Sequence, residues 1–554
     1  MKKRFLESTL LLMILSLVLS ACSGANNASN PNSEDSGDGA VISAVGKLPI
    51  ADQTITLKMF APQKPTIENM ETNTYTKWLE EQTNIHIDWD LAAEDALNER
   101  KQLMLASGDY PEVILHGNLT KDEQMRYGSQ GVLLPLNGLI DQYAPNVKAA
   151  MADIDYLSSS MTAPDGNIYS IPMVNECFHC TYPQKYWINQ AWLDKLGLEV
   201  PTTTDELYTV LKAFKEQDPN GNGKADEIPL TGTVKSDIDK GNFDGYLMNA
   251  FIYNDSDTYL TVDNGTVDFA ANKEEWKQGL QFMNKLYSEG LIDQGAFTQN
   301  EDAVNQLANR EPDNIMGSIT TMLISFALSP DDAHPRHKDY VAVPPLIGPS
   351  GVQQAGIVNG IANGQFALTN KATEQQQIAA IRLVDFLFTE ESVLLQEKGP
   401  EGERWRLAET GELDFNGEQA KYTDVPFTYT QTHNIAWEQI GPSLRTKEYL
   451  ASFTAPQDPL AEGGYGTRLY KETQEKYEPY ATESAYPQGI FLASEDSDEA
   501  AQLKTTISDY VNANMAQFIT GSKDIEKEWD AYVSGFEGLQ LSRYLEIYQN
   551  ALNR

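Results

Sequence analysis

The stretch Thr54-Ile-Thr-Leu-Lys-Met-Phe60 alternates apolar and polar side chains, the two-residue period of a half-buried strand. Ile85-His-Ile-Asp-Trp-Asp90 repeats the pattern, and a helical stretch carrying Tyr75, Trp78 and Leu79 lies between the two. A second helix is expected over residues 91–106, followed by a short apolar run at 112–115. Strand and helix signals in the order β-α-β-α-β predict the α/β class with a mostly parallel sheet.

Outward from this unit the chain reads as further helices. Thr203-Thr-Asp-Glu206 is a capping box, and Leu207, Val210, Leu211 and Phe214 then fall on one face. Trp276, Leu280, Met283, Leu286 and Tyr287 make a second amphipathic helix, residues 378–388 a third, and the chain from 500 onward is largely helical. There is no internal repeat, and 554 residues allow two or three domain-sized units.

The N-terminus speaks to compartment. Lys2, Lys3 and Arg4 precede an apolar run at 10–19 and then Leu-Ser-Ala-Cys22. A bilayer span needs about 20 apolar residues, so residues 1–21 are expected to be a signal peptide. Cys22 directly after Leu-Ser-Ala is similar to a bacterial lipobox, which makes it the candidate lipidation site and new N-terminus. Residues 22–47, in which SGANNASNPNSEDSGDG follows Cys22 at 23–39, carry too little apolar surface for a core and are expected to form a disordered tether. The chain has 41 basic and 80 acidic residues; loss of the leader leaves 38 and 79, a net charge of −41. Such a field opposes nucleic acid and anionic membrane surfaces as partners.

The sharpest motif is Asp218-Pro-Asn-Gly-Asn-Gly-Lys-Ala-Asp-Glu227. Oxygen-bearing side chains recur at Asp218, Asn220 and Asn222, and Gly223 permits the turn, as in the opening of an EF-hand loop. Position twelve is Pro229 where an EF-hand has a bidentate Glu. The expected ligand set of one structural Ca2+ is therefore Asp218, Asn220, Asn222, the Lys224 carbonyl, Asp226 and Glu227.

A series of segments carries a family resemblance: Gly131-Val-Leu-Leu-Pro-Leu136, Asp165-Gly-Asn-Ile-Tyr-Ser-Ile-Pro172, Trp187-Ile-Asn-Gln-Ala-Trp-Leu-Asp-Lys-Leu-Gly-Leu198, Leu286-Tyr-Ser-Glu-Gly-Leu-Ile-Asp293, Pro344-Pro-Leu-Ile-Gly-Pro349, Gly399-Pro-Glu-Gly402, Phe518-Ile-Thr-Gly521 and Trp529-Asp-Ala-Tyr532. In this order the chain resembles the extracellular solute-binding proteins of ABC importers, in the subgroup of alginate-binding proteins and LplA/LipO-type lipoproteins. The resemblance implies a two-lobed, type II periplasmic-binding-protein fold closing on a ligand. It places crossings near 171–175, 358–365 and 430. The implied N-terminal lobe is 48–172 plus 359–430, and the C-terminal lobe 173–358 plus 431–554. It also implies calcium at the Asp218 loop.

Sugars present apolar C–H faces ringed by hydroxyls, so a carbohydrate cleft needs aromatic platforms and fixed polar groups. Trp78, Trp192, Trp276 and Trp529 read as core. Trp437 and Trp405 lie in segments without helical periodicity near the implied crossings and are the candidate platforms. Tyr169, Asn175, Glu176 and Gln365 are the candidate hydrogen-bonding residues. Cys177-Phe-His-Cys180 is a lone C-x-x-C, which outside the cell reads as a local disulfide rather than zinc or a thioredoxin-like site.

The expected function is capture of an oligosaccharide by a monomeric, lipid-anchored protein at the outer face of the cell membrane, for delivery to the transmembrane subunits of an ABC permease. No nucleophile elbow, H-E-x-x-H or P-loop is present, and no catalytic residue is assigned. The alternatives are an extracellular polysaccharide-degrading enzyme and a ligand-sensing adaptor for a membrane receptor.

Overall fold

A computed structural model describes residues 39–233, 242–328, 335–427, 431–456, 458–461 and 463–554. The leader, Cys22 and most of the tether lie outside the described residues.

The expected β-α-β-α-β unit is present: β1 (Ile55–Gln63), α1 (Thr74–Thr83), β2 (Ile85–Ala93), α2 (Leu97–Ser107) and β3 (Val113–Leu119), with β1 parallel to both β2 and β3. Alternation governs the first half of β1, where Ile55 and Leu57 are buried and Thr56 and Lys58 exposed. Its second half is buried on both faces because Phe60 meets Met104 and Leu105 of α2, while Met59 and Ala61 enter the opposite core. α1 starts where the Asn73 side chain accepts the Tyr75 N–H, and ends at Asn84 in the left-handed region (φ 58°).

Strands from far along the chain complete this sheet. Ile361–Leu368 pairs antiparallel with β3 and with Ile171–Asn175, and Leu444–Arg445 adds in parallel beyond the latter, giving six strands. The helices Asn137–Tyr143, Pro145–Asp153 and Glu374–Leu387 cover one face.

A second core is mostly helical. It surrounds a three-stranded antiparallel sheet in which Tyr186–Asn189 lies between Ser318–Thr320 and Tyr340–Val343. The Thr203 capping box forms as expected and starts Thr204–Glu216, burying Leu207, Val210, Leu211 and Phe214. Glu274–Ser288 and the C-terminal helices Ser494–Thr520, Ile525–Gly538 and Leu541–Leu552 pack on the same core.

Two expected boundaries move. Trp437 and Ile440 belong to the first core, Leu444–Arg445 to its sheet, and Tyr449 and Phe453 pack with Val393, Leu394 and Trp405 beside it. The first lobe therefore keeps the chain well past residue 430. At the other end, Ala40 is buried in the first core and Ile42 bridges Ala51, so folded structure begins inside the segment expected to be tether. A few apolar contacts and one backbone bridge suffice to order residues whose composition alone reads as disordered.

Candidate functional site

The chain runs between the lobes after Asn175, before Ile361 and again beyond Ala455, and a cavity of about 1000 Å³ opens beside the first two crossings and the start of the helix Lys447–Ala451. Glu176, Asn359 with Gly360, and Lys447 contribute one wall segment each. Tyr156, Ser160 and Ala163 close it from the first lobe, and Phe178, Tyr486 and Ile490 from the second. Its size sits at the upper end for small-molecule sites, enough for several linked sugar rings.

Glu176 follows directly on the carboxyl end of a sheet strand, the edge at which ligands collect in α/β folds. Its carboxylate accepts the Lys447 backbone N–H at 3.2 Å and lies beside the Tyr156 phenol. Burial pushes that phenol up, and the Glu176 charge adds to the effect. Asn359 is clamped by Gln488, whose amide oxygen and carbonyl accept its backbone and side-chain N–H at 3.1 Å each. The strap carrying Tyr486 and Gln488 continues to Phe491, which is buried in the first lobe beneath the Lys121 ammonium.

Along the same sheet edge His116 and Asn118 hold left-handed backbone (φ 54° and 49°) at the end of β3. The His116 Nδ1 accepts the Gly441 N–H at 2.9 Å. Burial, then the nearby Lys64 charge, lowers its pKa to about 4, so the imidazole is neutral at pH 7.

Of the residues expected to meet the ligand, Glu176 alone is a wall residue of this cavity. Trp437 is not a platform: it is 1% exposed, edge-on to Tyr75 and Trp89, and its Nε1 donates to Thr76 Oγ1 at 2.7 Å. Trp405 is buried against Tyr422 and donates to the Gly399 carbonyl at 2.7 Å. Tyr169 is buried beneath Gly128 and donates to Asp165. Gln365 is buried and donates to the Asn363 carbonyl. Asn175 is half-buried, and its backbone N–H pairs with Gly360. For Trp437, packing from distant segments claims a side chain that local sequence left free.

None of the eight tryptophans lines the cavity; its rings are tyrosine and phenylalanine. Phe178, Tyr156 and Tyr486 line the cavity and are not among the residues expected from sequence to meet the ligand. The usable signals were an aromatic residue between two cysteines at the first crossing and one in the Pro- and Gly-containing segment Tyr486-Pro-Gln-Gly489. Cys177 and Cys180 form the expected disulfide, and burial lowers the His179 pKa to about 3.

The Asp218 loop lies in the second lobe. Asp218 holds φ 46° and its carboxylate accepts the N–H groups of Gly221, Asn222 and Gly223. The Asn222 Oδ1 accepts the Lys224 N–H at 2.8 Å, and the Lys224 ammonium pairs with Asp313 at 3.2 Å. Asn220 and Asn222 turn their amide nitrogens toward Asp226. The Glu227 Oε1 is buried without a hydrogen-bond partner. Desolvation, then the charges of Asp218 and Asp226, pushes the Glu227 pKa up. An orphaned carboxylate oxygen facing two further carboxylates suits a hard divalent cation, so the donor set fits calcium. Asp313, a carboxylate from 91 residues beyond Asn222, joins the cluster and has no local sequence signature.

A family model for the bacterial extracellular solute-binding proteins matches residues 56–393, well over half the chain. The chain belongs to this family. The binding protein is 30% identical over 559 aligned residues to the fructooligosaccharide ABC transporter substrate-binding protein FusA of Streptococcus pneumoniae serotype 4, covering 99% of this chain and 97% of that one. A solved structure of FusA in complex with kestose superposes with a TM-score of 0.74 at 29% identity, covering 90% of this chain and 99% of the other. A FusA EF-hand mutant in complex with fructo-nystose matches with the same TM-score, identity and coverage. The two-lobed α/β architecture of the binding protein is that of this family. No helix among the described residues is long and apolar enough to cross a membrane.

Proposed function

We propose that this protein captures an oligosaccharide outside the cell and delivers it to an ABC permease, binding the sugar without cleaving it. The observation that carries the reading is the near full-length similarity to a fructooligosaccharide-binding relative. The aromatic-lined cavity between the lobes supports it. Phe178 and Tyr486 supply ring faces, while Glu176 and Asn359 supply hydrogen-bonding groups beside them. Isothermal titration against short fructooligosaccharides, with chromatography of the recovered sugar, tests the proposal. Binding with intact sugar is expected, and Phe178→Ala or Glu176→Ala should each weaken it about tenfold or more, roughly one hydrogen bond or stacking contact. Sugar recovered cleaved would replace this reading with the enzyme alternative.

The same reading makes Cys22 the lipid-bearing residue and the Asp218 loop a structural calcium site. With Cys22 as the anchor, Cys22→Ala should shift the protein from the membrane to the soluble fraction. A Cys22→Ala protein that stays membrane-bound after leader removal would exclude that anchor.

A further inference from the structure

We propose that the Cys177–Cys180 disulfide is a positioning element for the cavity, so that ligand affinity depends on its oxidation state. The inference rests on the proposed binding role of the cavity. The turn closed by this disulfide presents both Phe178 and Thr181 to the cavity. It also ties the crossings together. Its Thr181 carbonyl accepts the Val358 N–H of the second crossing at 2.9 Å, and Glu176, adjoining Cys177, accepts the Lys447 N–H at the start of a first-lobe helix at 3.2 Å.

Within the turn two backbone bonds converge on the Cys177 carbonyl, from Cys180 at 3.0 Å and Thr181 at 3.2 Å. Beneath it Lys185, 1% exposed, donates to the carbonyls of His179 and Tyr182. Phe178 rests on Tyr470 with ring centroids 4.9 Å apart. The six residues 176–181 thus carry three wall groups and the contacts to the second crossing and to Lys447, and the covalent link limits how far they can spread. Once that link is cut only non-covalent contacts hold the turn: the bonds to the Cys177 carbonyl, Lys185 beneath it and the Phe178–Tyr470 packing.

Reduction by a small dithiol breaks the S–S bond and forms two thiols; the dithiol gives up two electrons and two protons and closes to its own disulfide. The test compares oxidised, dithiol-reduced and reoxidised protein, with Cys177→Ser/Cys180→Ser as a fourth arm. A short fructooligosaccharide is the probe, and amide hydrogen exchange reads the turn itself. Reduction is expected to raise Kd about tenfold and to speed exchange at Cys180, Thr181 and Val358, leaving the helix Thr204–Glu216 unaffected. Reoxidation should restore both, and the double variant should match the reduced form and ignore the dithiol. A global structural role would instead speed exchange in Thr204–Glu216 as well. Equal affinities in the oxidised and reduced forms, or unchanged exchange at these three amides, overturn the inference. If the amides respond but no sugar binds the oxidised protein, the brace stands and the sugar assignment falls.

Discussion

Trp437→Ala is expected to lower folding stability by about 3–5 kcal/mol, the usual cost of emptying a large buried aromatic site, while leaving ligand affinity of the folded protein unchanged. The indole lies between Tyr75 and Trp89, with ring centroids 4.9 and 5.4 Å away and both rings edge-on. Its loss removes that packing and leaves the buried Thr76 hydroxyl without the Nε1 donor. The backbone N–H of residue 437, which bonds the Gln396 carbonyl at 3.0 Å, is kept by alanine, so the deficit is one of side-chain packing and the Nε1 bond. Urea unfolding reads the stability and titration at low urea reads the affinity. Trp437→Phe keeps a ring and loses the hydrogen bond, so it should recover most of the deficit. Unchanged stability with lost binding would return Trp437 to the role of sugar platform.

Calcium removal should produce the second large effect. An ion bound only by the folded state adds RT ln(1 + [L]/Kd), about 2.7 kcal/mol at a hundredfold excess over Kd. A chelator should therefore lower the melting temperature by several degrees, and Asp218→Ala should lower it and abolish the response. Magnesium should substitute poorly, since it demands a tighter octahedral shell and sheds water reluctantly.

The pH dependence of this effect follows from Glu227. Without the ion its folded-state pKa lies above the ordinary 4.5, chiefly through desolvation. The folded apo loop therefore gains a proton before the unfolded chain does, and its stability relative to the unfolded chain rises as pH falls through that raised pKa. Calcium needs the ionised carboxylate, so its affinity falls over the same window. The calcium-dependent increment in melting temperature should shrink as pH is lowered toward 4.5. A melting temperature that ignores both chelator and Asp218→Ala, with no calcium by elemental analysis, would leave the loop an ordinary turn.

Much of this protein was legible from sequence wherever a feature is decided within a few residues. The Thr203–Glu206 capping box and the spacing of oxygens from Asp218 to Glu227 each depend on contacts no more than ten residues long, and the alternation at 54–60 carries the strand period whatever strands pair with it. Family membership was legible for a different reason: many weak segments recur in one order over the whole chain.

Tertiary structure alone decided which aromatic residues meet the cavity. Trp437 reads as free because its neighbours in sequence have no helical or strand period, yet Tyr75, Thr76 and Trp89 approach it from about 350 residues away. Phe178 reads as incidental between two cysteines, and becomes a wall only because the second crossing and the strap carrying Tyr486 are brought beside it. Asp313 joins the acidic loop from a segment with no pattern of its own. The physical reason is common to all three. Burial and hydrogen-bond satisfaction are settled by whatever surface the fold brings opposite, and for these residues that surface is encoded elsewhere in the chain.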